Sequence, residues 1–149
     1  MAAHVEETTV NRTTVLTTIL AIILGLAILG TILIVLFPNP GEPFTELYLL
    51  GLGGKASNYP TNMTVNQTAN VTVGVVNHEN EKVTYKLTVT LSNKTINTTS
   101  FSLANDEKWE NAISFAPTQR GMGQKLEFDL FKGGDPSVYR SVYLLINVT

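Results

Sequence analysis

A long apolar run near the start of the chain is followed by segments in which apolar and polar positions alternate. The run Val15–Phe37 contains no charged residue. About twenty apolar residues, at a rise of 1.5 Å each, cross a ~30 Å hydrocarbon core. The following Pro38-Asn39-Pro40-Gly41 cannot continue a helix. The pattern predicts one transmembrane helix over residues 15–37, between an N-terminal tail at 1–14, whose cytoplasmic side is assigned below from the N-x-T motifs, and a linker at 38–43.

A cleaved signal peptide is the alternative interpretation of this run. The run is longer than the usual apolar region of about 7–15 residues, the preceding tail is acidic, and no A-x-A-like cleavage site follows. These features favour an uncleaved anchor. Ala21 and Gly25 have the i, i+4 spacing of helix–helix contacts in lipid, although small residues are common in such helices.

The alternating segments predict short antiparallel strands. The clearest is Lys82–Leu91, in which every second residue is apolar over ten positions. The turn-forming residues 77–81 precede it, so we expect a hairpin with the strand at 69–76. The predicted strands are 46–50, 69–76, 82–91, 97–103, 109–115, 125–131 and 138–148. This spacing predicts an all-β, immunoglobulin-like antiparallel β-sandwich at residues 44–149.

Composition and charge exclude several classes of function. The formal net charge is −2, and the ten Lys and Arg residues are scattered, so no basic face for nucleic acid is visible. Cysteine is absent, which excludes disulfides, thiolate metal sites and cysteine nucleophiles. An exported domain without cysteine must be held by its core alone, which favours a prokaryotic surface protein.

The motif N-x-T occurs six times after the apolar run, whereas composition alone predicts about two occurrences of N-x-S/T. N-glycosylation takes place outside the cell or in an equivalent compartment, so these motifs orient the chain. We expect an extracellular C-terminal domain and a cytoplasmic N-terminus in the cell membrane. A seventh motif, at Asn11, then lies inside and should be unmodified. The alternative is a surface rich in Thr and Asn that matches by composition. The predicted acceptors of N-linked glycans are Asn62, Asn66, Asn70, Asn93, Asn97 and Asn147.

Two groups of polar residues could form chemical sites. His78 precedes Glu79 and Glu81, but one histidine is too few for a zinc site built from protein ligands alone. Asp106, Glu107 and Glu110 flank Trp109 in the sequence. Two of them could form the carboxylate pair of a glycoside hydrolase, but a charged loop leading into a strand explains them as well.

The sequence also lacks the motifs of nucleophilic catalysis and of phosphate binding. No G-x-S-x-G elbow occurs, and no helix follows Gly51, Gly53 and Gly54 to bind a phosphate. We therefore assign no catalytic, metal or cofactor residues and expect no enzyme activity. Trp109, the single tryptophan, is expected to pack between the two sheets, and an exposed carbohydrate platform is the alternative.

A family resemblance begins just after the linker. It rests on FTELYLLG at 44–51, GGKA at 53–56, NYP at 58–60, VGVVNHE at 73–79 and VTY at 83–85. Over residues 42–149 the chain resembles a family of membrane proteins described as domain of unknown function 1616. The resemblance implies an archaeal source and an extracytoplasmic β domain, and it implies no reaction. Members often have several N-terminal helices, whereas this chain has one.

These observations favour a structural or interaction module of the cell envelope, or an accessory subunit of a membrane assembly. The expected partners are the lipid bilayer, N-linked glycans, and another protein or a second copy of the chain. One alternative is a pilin-like filament subunit, although no basic processing site precedes the helix and the prolines interrupt it. A second alternative is a carbohydrate- or solute-binding surface domain.

Overall fold

A computed structural model describes residues 11–37 and 41–149 of the protein. The described chain forms two compact units that divide between Gly41 and Glu42. Most of the predicted tail, and the predicted helix-breaking residues 38–40, lie outside the described residues.

The first unit is a single helix, α1, which extends over Arg12–Leu36. It is long and apolar enough to cross a membrane. Asn11 caps its first turn, because the Asn11 side chain accepts a hydrogen bond from the backbone N–H of Thr13. Threonine hydroxyls within the helix donate to backbone carbonyls one turn earlier, for example from Thr31 to Ala27 at 2.9 Å. Such bonds satisfy hydroxyl groups that an apolar environment leaves without water.

The second unit is a sandwich of two β-sheets, which confirms the predicted fold class. The smaller sheet has the strand order β1-β3-β6, and the larger has the order β2-β8-β7-β4-β5. The pairing is antiparallel except between β2 and β8. The strands are β1 Phe44–Leu50, β2 Asn62–Met63, β3 Ala69–His78, β4 Val83–Leu91, β5 Lys94–Leu103, β6 Lys108–Phe115, β7 Gly121–Lys132 and β8 Arg140–Val148.

The predicted hairpin of β3 with β4 is wrong. β3 pairs with β1 and β6, whereas β4 pairs with β5 and β7 in the other sheet. Residues 79–82 therefore cross from one sheet to the other. The apolar residues of β3 and β4 face the same core from opposite sides, and alternation indicates a buried face without indicating which sheet carries it.

The core lies between the sheets and is continuous. Val71, Val73 and Val75 of β3 face Leu87 and Val89 of the larger sheet in a single buried cluster. The ring of Trp109 on β6 stacks on Phe101 of β5 with a centroid separation of 4.1 Å and an interplanar angle of 8°. This contact joins the two sheets at one side, and it confirms that Trp109 packs between them.

The strands define two ends of the sandwich. β1 begins at Phe44, directly opposite the last residue of β3, His78, and β4, β6 and β8 begin at this same end. We call it the near end, because the chain from α1 joins the domain there. At the opposite end, the far end, β3 and β7 begin and β8 finishes.

Candidate functional site

All six predicted acceptor asparagines lie at or close to the far end. Asn70 is the second residue of β3, and Asn147 is the second-last residue of β8. Asn93 lies in the turn that joins β4 to β5, and Asn97 is the fourth residue of β5. Asn62 lies in β2, which pairs with the last residues of β8. A sixth position, Asn66, donates its backbone N–H to the carbonyl of Pro117, just after β6 finishes.

The acceptor side chains are accessible. Asn62, Asn66, Asn70 and Asn93 are exposed, and the other two are half-buried. Asn66 and Asn93 have φ angles of 60° and 65°, a left-handed conformation that asparagine adopts more readily than most residues. Turns and strand ends of this kind project their side chains into solvent, so the far end can carry bulky groups without disturbing the core.

Two of the acceptors are neighbours in space. Asn62 of β2 is the register partner of Asn147 of β8. The Asn147 Nδ2 donates to Oδ1 of Asn62 at 3.4 Å, and the Asn147 Oδ1 accepts from the backbone N–H of Gly123 at 2.9 Å.

The near end contains a buried polar cluster centred on Glu79. One carboxylate oxygen accepts hydrogen bonds from the hydroxyls of Thr45 at 2.6 Å and Tyr139 at 2.7 Å. The other oxygen forms an ion pair with the ammonium of Lys132. The Glu79 side chain is only 3% exposed, so this charge is stabilised by its partners rather than by water.

Asn77 extends this cluster between the two sheets. Its Oδ1 accepts from the hydroxyl of Tyr85 at 3.1 Å and from the backbone N–H of Glu79 at 3.0 Å. Its Nδ2 donates to the carbonyls of Glu81 and Leu103. Among the described residues, no buried side-chain nitrogen or oxygen lacks a hydrogen-bond partner. The cluster therefore fixes the crossing segment 79–82 without an uncompensated polar group.

Opposing effects set the ionisation of this cluster. Burial acts to raise the pKa of Glu79, but the hydrogen bonds from Lys132, Thr45 and Tyr139 outweigh it and hold the pKa below its ordinary value. The hydrogen bond to Glu79 in turn raises the pKa of Lys132. Both groups are charged at neutral pH.

The structure does not bring His78 together with Glu79 and Glu81. The imidazole instead lies between Asp106, at 2.7 Å from Nδ1, and Glu46, at 3.2 Å from Nε2. The hydrogen bond to Asp106 is the main effect that raises the pKa of His78, and Glu46 adds to it. Within residues 11–37 and 41–149, no group of three or more His, Asp or Glu side chains is arranged to hold a metal ion.

The carboxylates around Trp109 have separate partners. Asp106 contacts His78, and Glu107 accepts a hydrogen bond from the backbone N–H of Ala104. Glu110 accepts from the hydroxyl of Tyr48 at 2.6 Å. Each of the three carboxylates is therefore engaged with a different residue.

Tyr48 reaches Glu110 by crossing over β3. Its ring occupies the space above Gly74, where a Cβ atom would lie 2.1 Å from the ring. Burial raises the pKa of Tyr48 to about 12, and the hydrogen bond to Glu110 contributes to the shift. That same hydrogen bond lowers the pKa of Glu110. Tyr48 thereby ties all three strands of the smaller sheet together on its outer face.

The two sides of the sandwich differ in how they are covered. On one side, the Phe101–Trp109 stack bridges β5 and β6. On the other side, β1 and β8 are adjacent edges, and β2 pairs only with Asn147 and Val148. Residues 140–145 of β8 therefore have no strand partner on their outer edge among the described residues. We call this the β1–β8 side.

Comparison with protein families identifies the sandwich. The model of the family described as domain of unknown function 1616 (DUF1616) matches residues 38–147. The chain belongs to the DUF1616 family. This match confirms the resemblance that the sequence motifs indicated. A search of curated proteins finds no match.

Solved structures confirm the fold of the DUF1616 domain. The crystal structure of the CARDB domain of the PF1109 protein from Pyrococcus furiosus, in complex with di-metal ions, matches with a TM-score of 0.57 and 18% identity. The match covers 73% of this chain and 90% of that chain. The solution NMR structure of the same domain matches with a TM-score of 0.56 and 20% identity, covering 72% and 95%. At these identities the likeness shows the immunoglobulin-like fold alone.

A distant match to an enzyme adds nothing to this assignment. A β-glucosidase from Erythrobacter marinus matches at 11% identity with a TM-score of 0.45, covering 72% of this chain and 16% of that chain. The likeness is confined to a small part of that enzyme.

The polar cluster at the near end was not predicted. The sequence pattern predicts that Asn77, Glu79 and Glu81 form a turn, whereas Asn77 and Glu79 are buried. One signal was present in the sequence, because Lys132, the partner of Glu79, continues the inward-facing register of the apolar residues of β7. A lysine at an inward position predicts a buried carboxylate partner.

Proposed function

We propose that the DUF1616 domain is an N-glycosylated extracellular module that α1 anchors in the cell membrane. It acts as a structural or interaction module of an archaeal cell envelope, or as an accessory subunit of a membrane assembly. One observation carries the proposal. All six N-x-T acceptors lie toward the end of the domain opposite the one that α1 joins.

The properties of α1 support the anchoring role. Its 25 residues correspond to about 37 Å of helix, which is enough for a ~30 Å hydrocarbon core. Its internal threonine hydroxyls bond to their own helix, so they need no water. Glycosylation of the domain requires the orientation with the N-terminus inside.

The distribution of the acceptors supports an interaction role. Glycans at the far end leave the near end and residues 140–145 of β8 bare, because Asn62 and Asn147 lie beyond the unpaired part of the β8 edge. Asn93 and Asn97 belong to the opposite edge, at β5, where glycans would block the addition of another strand. Tyr143 and Leu145 of β8 are more than half exposed. An extended segment of a partner protein can pair with the open edge of β8 by main-chain hydrogen bonds.

Labelling of single cysteines tests the topology, since the natural chain has no cysteine background. Ser137→Cys lies in an exposed loop at the near end, and Thr8→Cys lies in the tail. We expect a membrane-impermeant maleimide to label Ser137→Cys on intact cells, and Thr8→Cys only after lysis. The reverse pattern would overturn the proposed orientation.

Enzymatic deglycosylation of the native protein tests the modification. We expect the mass to fall by several glycan units, with the glycans mapped to N-x-T asparagines of the domain and none at Asn11. An unchanged mass would remove glycosylation from the proposed function.

Affinity purification from native membranes tests the interaction role. We expect a partner protein to be retained by the wild type and lost from Tyr143→Glu on β8. Ser100→Glu on β5 is the matched control, because Ser100 is also exposed on an edge strand. Equal recovery of the partner with both variants would exclude the edge of β8 as the binding surface.

A further inference from the structure

Asn62 and Asn147 occupy facing positions on two parallel strands. Asn62 is opposite Asn147, and Met63 is opposite Val148. Met63 and Val148 are buried, at 4% and 2% exposure. Because side chains alternate along a strand, both asparagines point to the outer face. Neighbouring strands lie about 4.8 Å apart, so the two amide groups share one small patch of surface.

Hydrogen bonds hold the two amides in this arrangement. The Asn147 Nδ2 donates to Oδ1 of Asn62, and its own Oδ1 accepts from Gly123. The backbone N–H of Asn147 donates to the carbonyl of Thr61 at 2.8 Å, and that of Thr149 donates to Met63 at 3.0 Å. Rotation of the Asn147 side chain would lose both of its amide hydrogen bonds, and rotation of the Asn62 side chain would lose the one at 3.4 Å. Among the acceptors, this is the one pair that the described strands place in register.

We infer that Asn62 and Asn147 form a single glycosylation site, which accepts one oligosaccharide on either residue but not on both. The inference rests on the proposed glycosylation of the domain. The donor is an oligosaccharide linked to a lipid phosphate. The amide Nδ2 forms a bond to the anomeric carbon and loses one proton, while the bond from that carbon to the phosphate oxygen breaks and the lipid phosphate leaves.

Space limits the pair to one such transfer. A hydrated pyranose ring with its substituents is wider than the ~4.8 Å between neighbouring strands. The first sugar therefore covers the remaining amide nitrogen and the chain beside it. A second sugar on the facing asparagine would have to occupy the same volume as the first.

The substitutions Thr64→Ala and Thr149→Ala test the inference, because each removes one N-x-T motif and leaves both asparagines in place. The readout is the maximum number of glycans per molecule, measured by intact mass on the full chain from a glycosylating host. A shared site predicts the same maximum for the wild type and for each single variant. The double variant then carries one glycan fewer.

Independent sites give a different pattern and would overturn the inference. In that case the wild type carries one glycan more than either single variant and two more than the double variant. An unchanged maximum in the double variant also overturns it, because the pair then carries no glycan. Site mapping that finds sugars on both asparagines of one molecule has the same consequence.

Thr68→Ala is the matched control, because it removes the motif of Asn66, which has no neighbouring acceptor in register. We expect this variant to lose one glycan from the maximum. Absence of glycans from the wild type at every asparagine would overturn the proposed glycosylation itself. If other asparagines carry glycans but the variants at Thr64 and Thr149 do not follow the shared-site pattern, only the shared site is overturned. Urea unfolding of the unglycosylated variants checks that each is folded.

Discussion

The two ends of the sandwich use polar residues in opposite ways. At the far end, Asn66 and Asn93 are exposed in left-handed turns, where their side chains have few constraints. At the near end, Asn77 and Glu79 are buried, and every buried side-chain nitrogen and oxygen of the described residues has a partner. The same residue types are therefore exposed and loosely held at one end, and buried and fully hydrogen-bonded at the other.

The two ends therefore differ in the substitutions and attached groups that they tolerate. A surface asparagine interacts mainly with water, so a sugar attached to it disturbs little of the protein. A buried carboxylate depends on each of its partners, since the loss of one leaves a charge without compensation in a poorly solvated site. We therefore expect substitutions at the near end to affect stability strongly, and substitutions at the far end to affect modification alone.

The largest expected effect follows the removal of Lys132. Lys132→Met leaves the buried Glu79 carboxylate without its cation, and we expect the free energy of unfolding to fall by about 3 kcal/mol. Lys86→Met is the matched control. Lys86 lies 4.4 Å from the ring centroid of Phe131 on the exposed face, so its loss should cost about 1 kcal/mol or less. Chemical denaturation of the full chain in detergent measures both values.

The ionisation of Glu79 makes the stability of the domain depend on pH. Its pKa in the folded protein lies below the ordinary 4.5, so the unfolded chain binds more protons in this range. The contribution to stability is present above pH 4.5 and is lost as the pH falls through the folded-state pKa. We expect Glu79→Gln to flatten the loss of stability on acidification, and an unchanged acid slope would contradict this assignment.

A smaller effect is expected midway between the ends, at Gly74. Gly74→Ala places a Cβ where the ring of Tyr48 lies, so the tyrosine must move and its hydrogen bond to Glu110 is lost. We expect a destabilisation of about 2 kcal/mol. Spectrophotometric titration should show the pKa of this tyrosine fall from about 12 toward 10.0. Tyr48→Phe keeps the ring and loses only the hydrogen bond, so it should cost about 1 kcal/mol. An equal loss of stability in Gly74→Ala and Tyr48→Phe would exclude displacement of the ring as a cause.

His78 provides a weaker test at the surface of the near end. Its pKa is raised above the ordinary 6.5, mainly by the hydrogen bond to Asp106. The stabilisation is therefore complete below pH 6.5 and is lost as the pH rises through the folded-state pKa. We expect His78→Asn to remove a decline in melting temperature above pH 6.5, in the direction opposite to the effect of Glu79. A variant whose profile retains that decline would show that another group is responsible.

The smallest effect is expected at the far end. Thr68→Ala changes an exposed side chain, so we expect the stability of the unglycosylated protein to change by less than about 0.5 kcal/mol. Thermal unfolding of protein from a host that does not glycosylate measures this change. A loss comparable to that of Lys132→Met would contradict the contrast between the ends.

The sequence predicted the strands well, because half-buried strands leave a period of two. The predicted strand 82–91 matches β4, and 97–103 lies within β5. It did not predict β2, since two residues are too few for a pattern. A local motif predicts the acceptor asparagines, but their grouping at one end depends on strand order. The inward register of Lys132 predicts a buried carboxylate partner, but no local pattern identifies Glu79, 53 residues away, as that partner.

The stack of Trp109 on Phe101 also makes the protein its own optical probe. Trp109 is the single tryptophan of the chain, so its emission spectrum reports one location, the contact between β5 and β6. Separation of the two sheets would transfer the indole from a stacked, half-buried environment into water and shift its emission to longer wavelength. Unfolding of the domain, and any opening of that side when a partner binds, can therefore be followed without an added label.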